Sequence, residues 1–232
     1  MSEPGLDDVL DEFIEKWRGR WPEWRIARTF VPGAQHADAE AWFALVQEWT
    51  DAAWTGADPT PGFAKLAWWQ EELRGWAKGL RRHPLGRTLH KRPAPWVALA
   101  DALPALEAVR DALAADMHDA AAIARLWPLA AAIARSEAAL FGDGATAAAV
   151  DDASVDAFPL LAAHALWPRE TATAAARAWA RTAPAPARAG TRARRVLDAL
   201  THARLARFGT AGEVAPLSPP QALWRGWRAA RG

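Results

Sequence analysis

An all-α fold is the class this sequence predicts, and three observations predict it. Alanine and leucine dominate while β-branched residues are scarce, so intrinsic propensity favours helix along most of the chain. Apolar residues recur at alternating spacings of three and four, the period of one helix face, in segment after segment. No strand pattern, glycine-rich phosphate loop or internal repeat interrupts them. A chain of 232 residues can bury a substantial core as one helical domain, and nothing in its composition requires a second.

The elements follow in order. Leu6 to Arg18 reads as an acidic amphipathic opener, joined through Trp- and Pro-containing residues up to Pro32 to a helix from Asp38 to Trp54. That helix sets Trp42, Leu45, Val46, Trp49 and Ala53 on one face. The next helix is the best marked, with Leu66, Trp69, Leu73, Trp76 and Leu80 in one stripe. Thr60 is placed to cap its start and Pro61 sits where a missing N–H costs nothing. Gly79 and then His83-Pro84 end it. Trp96 to Ala114 follows, with Pro104 set to bend or divide it. Ala120 to Leu140 runs up to a Gly-Asp-Gly turn at 142 to 144. Later helices are expected at Val155 to Leu166, Arg169 to Arg181, Thr191 to Phe208 and Pro219 to Ala230. "TAPAPARAG", residues 182 to 190, is the clearest loop.

Composition narrows the function classes. The absence of cysteine excludes disulfides and thiolate metal sites, and fits a reducing cytosol. Arginine heavily outnumbers lysine and tyrosine is absent, which we read as the coding bias of a GC-rich bacterial genome. The opening "MSEPGLDDVLDEF" is acidic where a secretory signal is basic and apolar. No uncharged apolar run reaches membrane-spanning length; "AAAIARLWPLAAAIAR" comes nearest and Arg125 interrupts it. The expectation is a cytoplasmic protein with no transmembrane segment, able to sit peripherally on the inner face of the membrane.

Two stretches carry a family resemblance. "FVPGAQHADAEAWFALVQEWTDAAW", residues 30 to 54, resembles the opening of squalene and phytoene synthases, where a proline precedes an arginine, an aromatic-rich "YAFcR" segment and then an aspartate-rich "DDxxD" metal motif. Counting from Pro32 puts Phe43, Ala44 and Leu45 on the aromatic segment. "FAKLAWWQEELRGWAKGLRRHPLGRTL", residues 63 to 89, is similar to the family's next helix, a "W..EL" segment closed by a His-Pro turn. The similarity is closest from residue 28 to 90, extends to 141 and fades beyond. It implies the isoprenoid synthase fold, a single bundle of helices around a deep apolar cavity.

The departures from that family bear on activity. In the active enzymes, aspartates one helical turn apart hold magnesium against a substrate diphosphate, because a hard cation wants oxygen ligands and must offset the departing charge. Those positions fall here on Thr50 and Trp54, and Asp51 alone keeps a carboxylate. The family's phosphate-facing arginines map to His36 and Gln47. The degraded motif lining the implied cavity is therefore Gln47, Thr50, Asp51 and Trp54. The second motif has one candidate, Asp152 and Asp156, one turn apart. We read them as a capped helix start, since acids gather where the helix dipole is positive and the expected arginine is missing. Read otherwise, Asp51, Asp152 and Asp156 hold Mg2+ in a working prenyltransferase that condenses prenyl diphosphates.

Other conspicuous residues take plainer readings. Glu71 and Glu72 diverge on the helix and are assigned to a solvated face. His83 belongs to its turn, while His90, His118, His164 and His202 lack zinc-site spacing. Fifteen tryptophans are expected mainly in the core, with some able to line a pocket for a polyprenyl chain. From residue 177 onward eleven arginines face two acids, Asp198 and Glu213, a segment suited to an anionic membrane surface or an acidic protein. No nucleic-acid reader motif accompanies it. The closing "PPQALWRGWRAARG" is expected to dock on the bundle with its arginines outward, the alternative being an interfacial membrane contact. The expected role is a family member without prenyl transfer that binds an apolar isoprenoid-like ligand or a protein partner.

Overall fold

The computed structural model describes residues 6–110, 120–142, 190–211 and 215–231. Every regular element among them is helical: α1 Leu6–Arg20, α2 Trp24–Ala27, α3 His36–Trp54, α4 Thr60–Trp76, α5 Gly86–Leu89, α6 Trp96–Ala102, α7 Pro104–Ala108, α8 Ala120–Ala124, α9 Trp127–Phe141, α10 Arg192–Ala211 and α11 Pro219–Arg231. Short 3-10 turns occupy Arg28–Phe30 and Gly33–Gln35. The all-α expectation holds. The helices expected at 155 to 166 and 169 to 181, the end of the one expected to reach Ala114, and most of the 182 to 190 loop lie outside the described residues.

α3 is the axis of the molecule. It has no glycine or proline inside it, and 16 of its 19 residues are buried. α1, α4, α5 and α7 pack around it. α4 also meets α6, α6 meets α9, and α10 carries α11, which reaches across to α2. These elements share one hydrophobic core. Where α3 and α4 cross, Gly62 lets the backbones approach so closely that a Cβ there would lie 1.9 Å from the Ala52 carbonyl oxygen.

Tryptophans fill the centre in a closed circuit. Trp42 and Trp49 of α3, Trp69 and Trp76 of α4 and Trp96 of α6 each pack ring against ring on the next. Centroid separations run from 5.0 to 6.4 Å, and four of the five pairs are edge-on. That is the arrangement the aromatic quadrupole favours. The circuit answers what the tryptophan stripe of α4 is for: it is core.

Several boundaries differ from the sequence expectation, each for a physical reason. Thr60 does not cap α4; it is the first helical residue, and its N–H donates to the Asp58 side chain at 2.9 Å. Leu80 is not on the buried stripe. Gly79 adopts φ +77°, Leu80 N–H bonds the Gly75 carbonyl and Gly79 N–H bonds that of Trp76. This Schellman ending turns Leu80 out of the helix, and it is 65% exposed. Pro104 divides its segment as expected. The expected Ala120 to Leu140 helix is two, because Pro128 lacks the N–H needed to continue and instead opens α9.

Glu72 is the largest correction. It was assigned to a solvated face with Glu71, yet it is 1% exposed while Glu71 faces solvent. The two do diverge around the helix, and the divergence carries Glu72 inward beside Trp76.

Two outcomes test this packing. Trp76→Ala should cost about 3–5 kcal/mol in chemical denaturation, as large aromatic deletions from cores do, whereas Glu71→Ala should stay within about 0.5 kcal/mol. The reverse ranking would remove Trp76 from the core. Gly62→Ala should cost about 1–3 kcal/mol, since backbone rather than a flexible side chain stands in the way; an unchanged melting temperature would mean that α3 and α4 are not so close.

Candidate functional site

The site expected from the sequence lies at the C-terminal end of α3, and its residues are already occupied with one another. Arg20, at the end of α1, clasps Asp51 with both terminal nitrogens, Nη1 to Oδ1 at 2.9 Å and Nη2 to Oδ2 at 2.6 Å. The Gln47 amide donates to Asp51 Oδ1 at 3.0 Å and to Thr50 Oγ1 at 3.3 Å. The Thr50 hydroxyl donates back to the Gln47 carbonyl. The Trp54 indole donates to the Leu106 carbonyl of α7 at 3.0 Å. A bidentate guanidinium on a carboxylate is the strongest pairing either group can make. The chemistry available is thus that of a locked structural pair.

His36, at a position the resemblance gives to a phosphate-facing arginine, bonds the Val31 carbonyl at 2.9 Å. Asp152 and Asp156 lie outside the described residues, as do His118 and His164. Among the described residues, no three His, Cys, Asp or Glu side chains converge as metal ligands.

The same pattern repeats along α3. Asp38 pairs with Arg92 at 2.7 Å. Glu40 takes Arg28, Arg18 and the Trp24 indole. Glu48 takes Lys16 at 2.5 Å and Lys65 at 2.6 Å. Burial alone pushes the Glu48 carboxyl up, but the two lysines outweigh it and hold the group below the usual carboxylate range. On α9, Glu137 accepts from the Trp42 indole at 2.7 Å and from Arg194, which also reaches Asp198.

These cations were not anticipated as partners. The signal for them was in the sequence: Asp38, Glu40, Glu48 and Asp51 sit on a helix otherwise apolar enough to be buried all round, and each therefore demands a counter-charge.

Around the His-Pro turn the polar groups close on Glu72. Its carboxylate accepts the Trp76 indole at 2.8 Å, the backbone N–H groups of Arg82 and His83 at 2.6 and 2.8 Å, and the Arg82 side chain at 2.9 Å. Burial would raise its pKa; the His83 and Arg82 backbone donors, with the two side chains, bring it below the ordinary value instead. His83 lies among the rings of Phe13, Trp68 and Trp69, and its Nδ1 accepts from Leu85 N–H at 3.2 Å. Burial lowers its pKa to about 4, against the pull of Glu48 and Glu72. The turn holds a neutral imidazole as structure, in line with its assignment from sequence.

One open groove of about 640 Å³ lies elsewhere, walled by Trp76, Trp96, Val97, His90 and Arg92. Through the Arg92–Asp38 pair it adjoins the start of α3. Thirteen residues separate Asp38 from Asp51, about 20 Å along a helix, so the groove and the degraded motif are different places. Sequence reading did not single it out, because Trp76 and Trp96 present a core face and a groove edge at once.

Comparison with protein-family models, with curated proteins and with solved structures returns no match to this chain.

His83 and His202 set a pH dependence. Burial holds both near pKa 4 in the folded protein, against 6.5 for the free side chain. Above pH 6.5 they are neutral folded or unfolded and contribute no slope. As pH falls from about 6.5 towards 4.5, the unfolded chain takes up protons that the folded chain refuses. Stability should then drop by on the order of 1 kcal/mol per pH unit for each histidine. Denaturation curves at pH 7.5 and 5 measure this. His83→Asn, which keeps an acceptor for Leu85 and cannot titrate, should flatten the dependence; an equal slope would contradict the burial of His83.

Proposed function

We propose that this protein is a divergent relative of squalene and phytoene synthases that binds an apolar isoprenoid-like ligand and does not transfer prenyl groups. The observation that carries the proposal is the Arg20–Asp51 clasp. Asp51 is the one carboxylate left where the resemblance expects a magnesium motif, and both its oxygens are held by a guanidinium. A cation entering there would have to displace Arg20 and leave it uncompensated, which is costly for partly buried charge. Thr50 and Trp54, which stand for the motif's aspartates, supply a hydroxyl and an indole that are already bonded within the fold.

The groove supports the binding half of the proposal. Its volume of about 640 Å³ suits a small molecule. The 48% exposed Val97 offers it apolar contact over the buried Trp76 and Trp96, and His90 and Arg92 give it a polar rim. A polyprenyl chain with an uncharged or weakly anionic head matches that chemistry.

The test is a pair of measurements on the full chain. With magnesium and farnesyl or geranylgeranyl diphosphate it should release no pyrophosphate above background. Farnesol should raise the melting temperature, by the equivalent of about 2.7 kcal/mol at a hundredfold excess over its dissociation constant. Val97→Asp should remove that stabilisation and Asp51→Asn should leave it. Magnesium-dependent turnover lost on Asp152→Ala would overturn the proposal in favour of a prenyltransferase, and no response to farnesol or its homologues would overturn the ligand.

A further inference from the structure

α11 is docked by small residues and exposes large ones. Ala222, Gly226, Ala229 and Ala230 face the bundle, and the fit at Gly226 is close enough that a Cβ would meet the Phe30 ring at 2.9 Å. At 100° per residue, Leu223, Trp227, Pro220 and Trp224 then occupy one continuous outward sector. Leu223 is 49% and Trp224 56% exposed. Trp224 and Trp227 stack at 5.0 Å, and the Arg231 guanidinium lies over Trp227 at 4.2 Å. Arg228 borders the sector on one side and Arg231 lies within it, both exposed, while Arg225 is exposed further round the helix.

We infer that α11 lies in the surface of an anionic bilayer, with Leu223, Trp224 and Trp227 in the headgroup region and Arg228 and Arg231 on the lipid phosphates. The division of the surface argues for it. Tryptophan is favoured where an apolar medium meets water, because its ring is apolar and its N–H needs a polar neighbour. Arginine fits phosphate as a planar fork and extends an apolar stem past the interface. Arg194 and Arg204 are held against Glu137, Asp198 and Glu23, and on α11 itself Arg228 and Arg231 stand exposed beside the tryptophans. A second copy of this chain is a poor occupant, since a two-fold contact would bring the arginines of both copies together. Among the described residues no helix is long and apolar enough to cross a membrane. α11 itself, at 13 residues with charge on one side, is too short to span a bilayer and suits the interfacial plane. No residue between 47 and 54 takes part, nor any at the groove, so vesicle binding and farnesol binding succeed or fail separately.

Vesicle flotation of the full chain tests the inference. It should float with equal mixtures of phosphatidylglycerol and phosphatidylcholine, stay behind with phosphatidylcholine alone, and release as salt is raised. Leu223→Ser with Trp224→Ser should weaken binding by about tenfold or more, the value of two exposed apolar side chains entering the interface. Arg228→Gln with Arg231→Gln should weaken it roughly thirtyfold, at about 1 kcal/mol per charge. Both pairs point outward, so an unchanged melting curve certifies the fold. Three results would overturn the inference: no flotation with phosphatidylglycerol, flotation indifferent to both double variants, or a concentration-dependent dimer abolished by Leu223→Ser with Trp224→Ser.

Discussion

Burying α3 means burying Asp38, Glu40 and Glu48 with it and half-burying Asp51, and the need to compensate those charges organises the helices around it. A carboxylate taken out of water costs several kcal/mol unless a cation and further donors come too. Each of the four receives at least one. α1 supplies Lys16, Arg18 and Arg20, α4 supplies Lys65, and the strand of chain before α6 supplies Arg92. The register of α1 on α3 is fixed by this, because three successive basic residues at two-residue spacing must reach Glu48, Glu40 and Asp51. Such pairs add little net stability over a hydrophobic isostere, but breaking one is expensive, and that asymmetry selects one arrangement.

The tryptophan circuit solves the complementary problem of filling space. Five indoles from α3, α4 and α6 close on themselves, so the three helices are keyed to each other by shape as well as by charge. Their polar edges are handled individually. Trp42 and Trp76 donate to Glu137 and Glu72, and Trp96 to the Arg92 carbonyl. Trp49 and Trp69 keep buried N–H groups without a hydrogen-bond partner. Two orphaned donors side by side are tolerated where two rings pack at their best distance, and the cost of each is of the order of a lost hydrogen bond.

Periodicity made most of the described fold legible. The stripes of α3 and α4 follow from which residues recur at three and four, and the break at Pro104 from its missing N–H. What periodicity could not show is where charge goes. Glu72 shares the Trp69–Leu73–Trp76 face by spacing, yet a lone glutamate in a charged run reads as solvated until the Arg82 and His83 backbone donors are seen to arrive from the turn. The same holds for Asp51. Its neighbours in sequence suggested a damaged metal site, while the partner that decides its role, Arg20, lies thirty-one residues earlier on another helix. The family resemblance drew on residues 30 to 54 and 63 to 89. The structure places α3 in the first behind two 3-10 turns, and α4 and α5 in the second with the His-Pro turn between them.

Charge compensation inside leaves the chemistry of this chain at its edges. Along α3 the carboxylates are paired, and both oxygens of Glu40, Glu48 and Asp51 are already engaged. Apolar surface without a partner collects instead at the Val97 groove and on the outward sector of α11. The two differ in charge. The groove carries a mixed polar rim, while the outward sector of α11 is bordered by Arg228 and crossed by Arg231 over Trp227. Neither uses the carboxylates that hold the helices together.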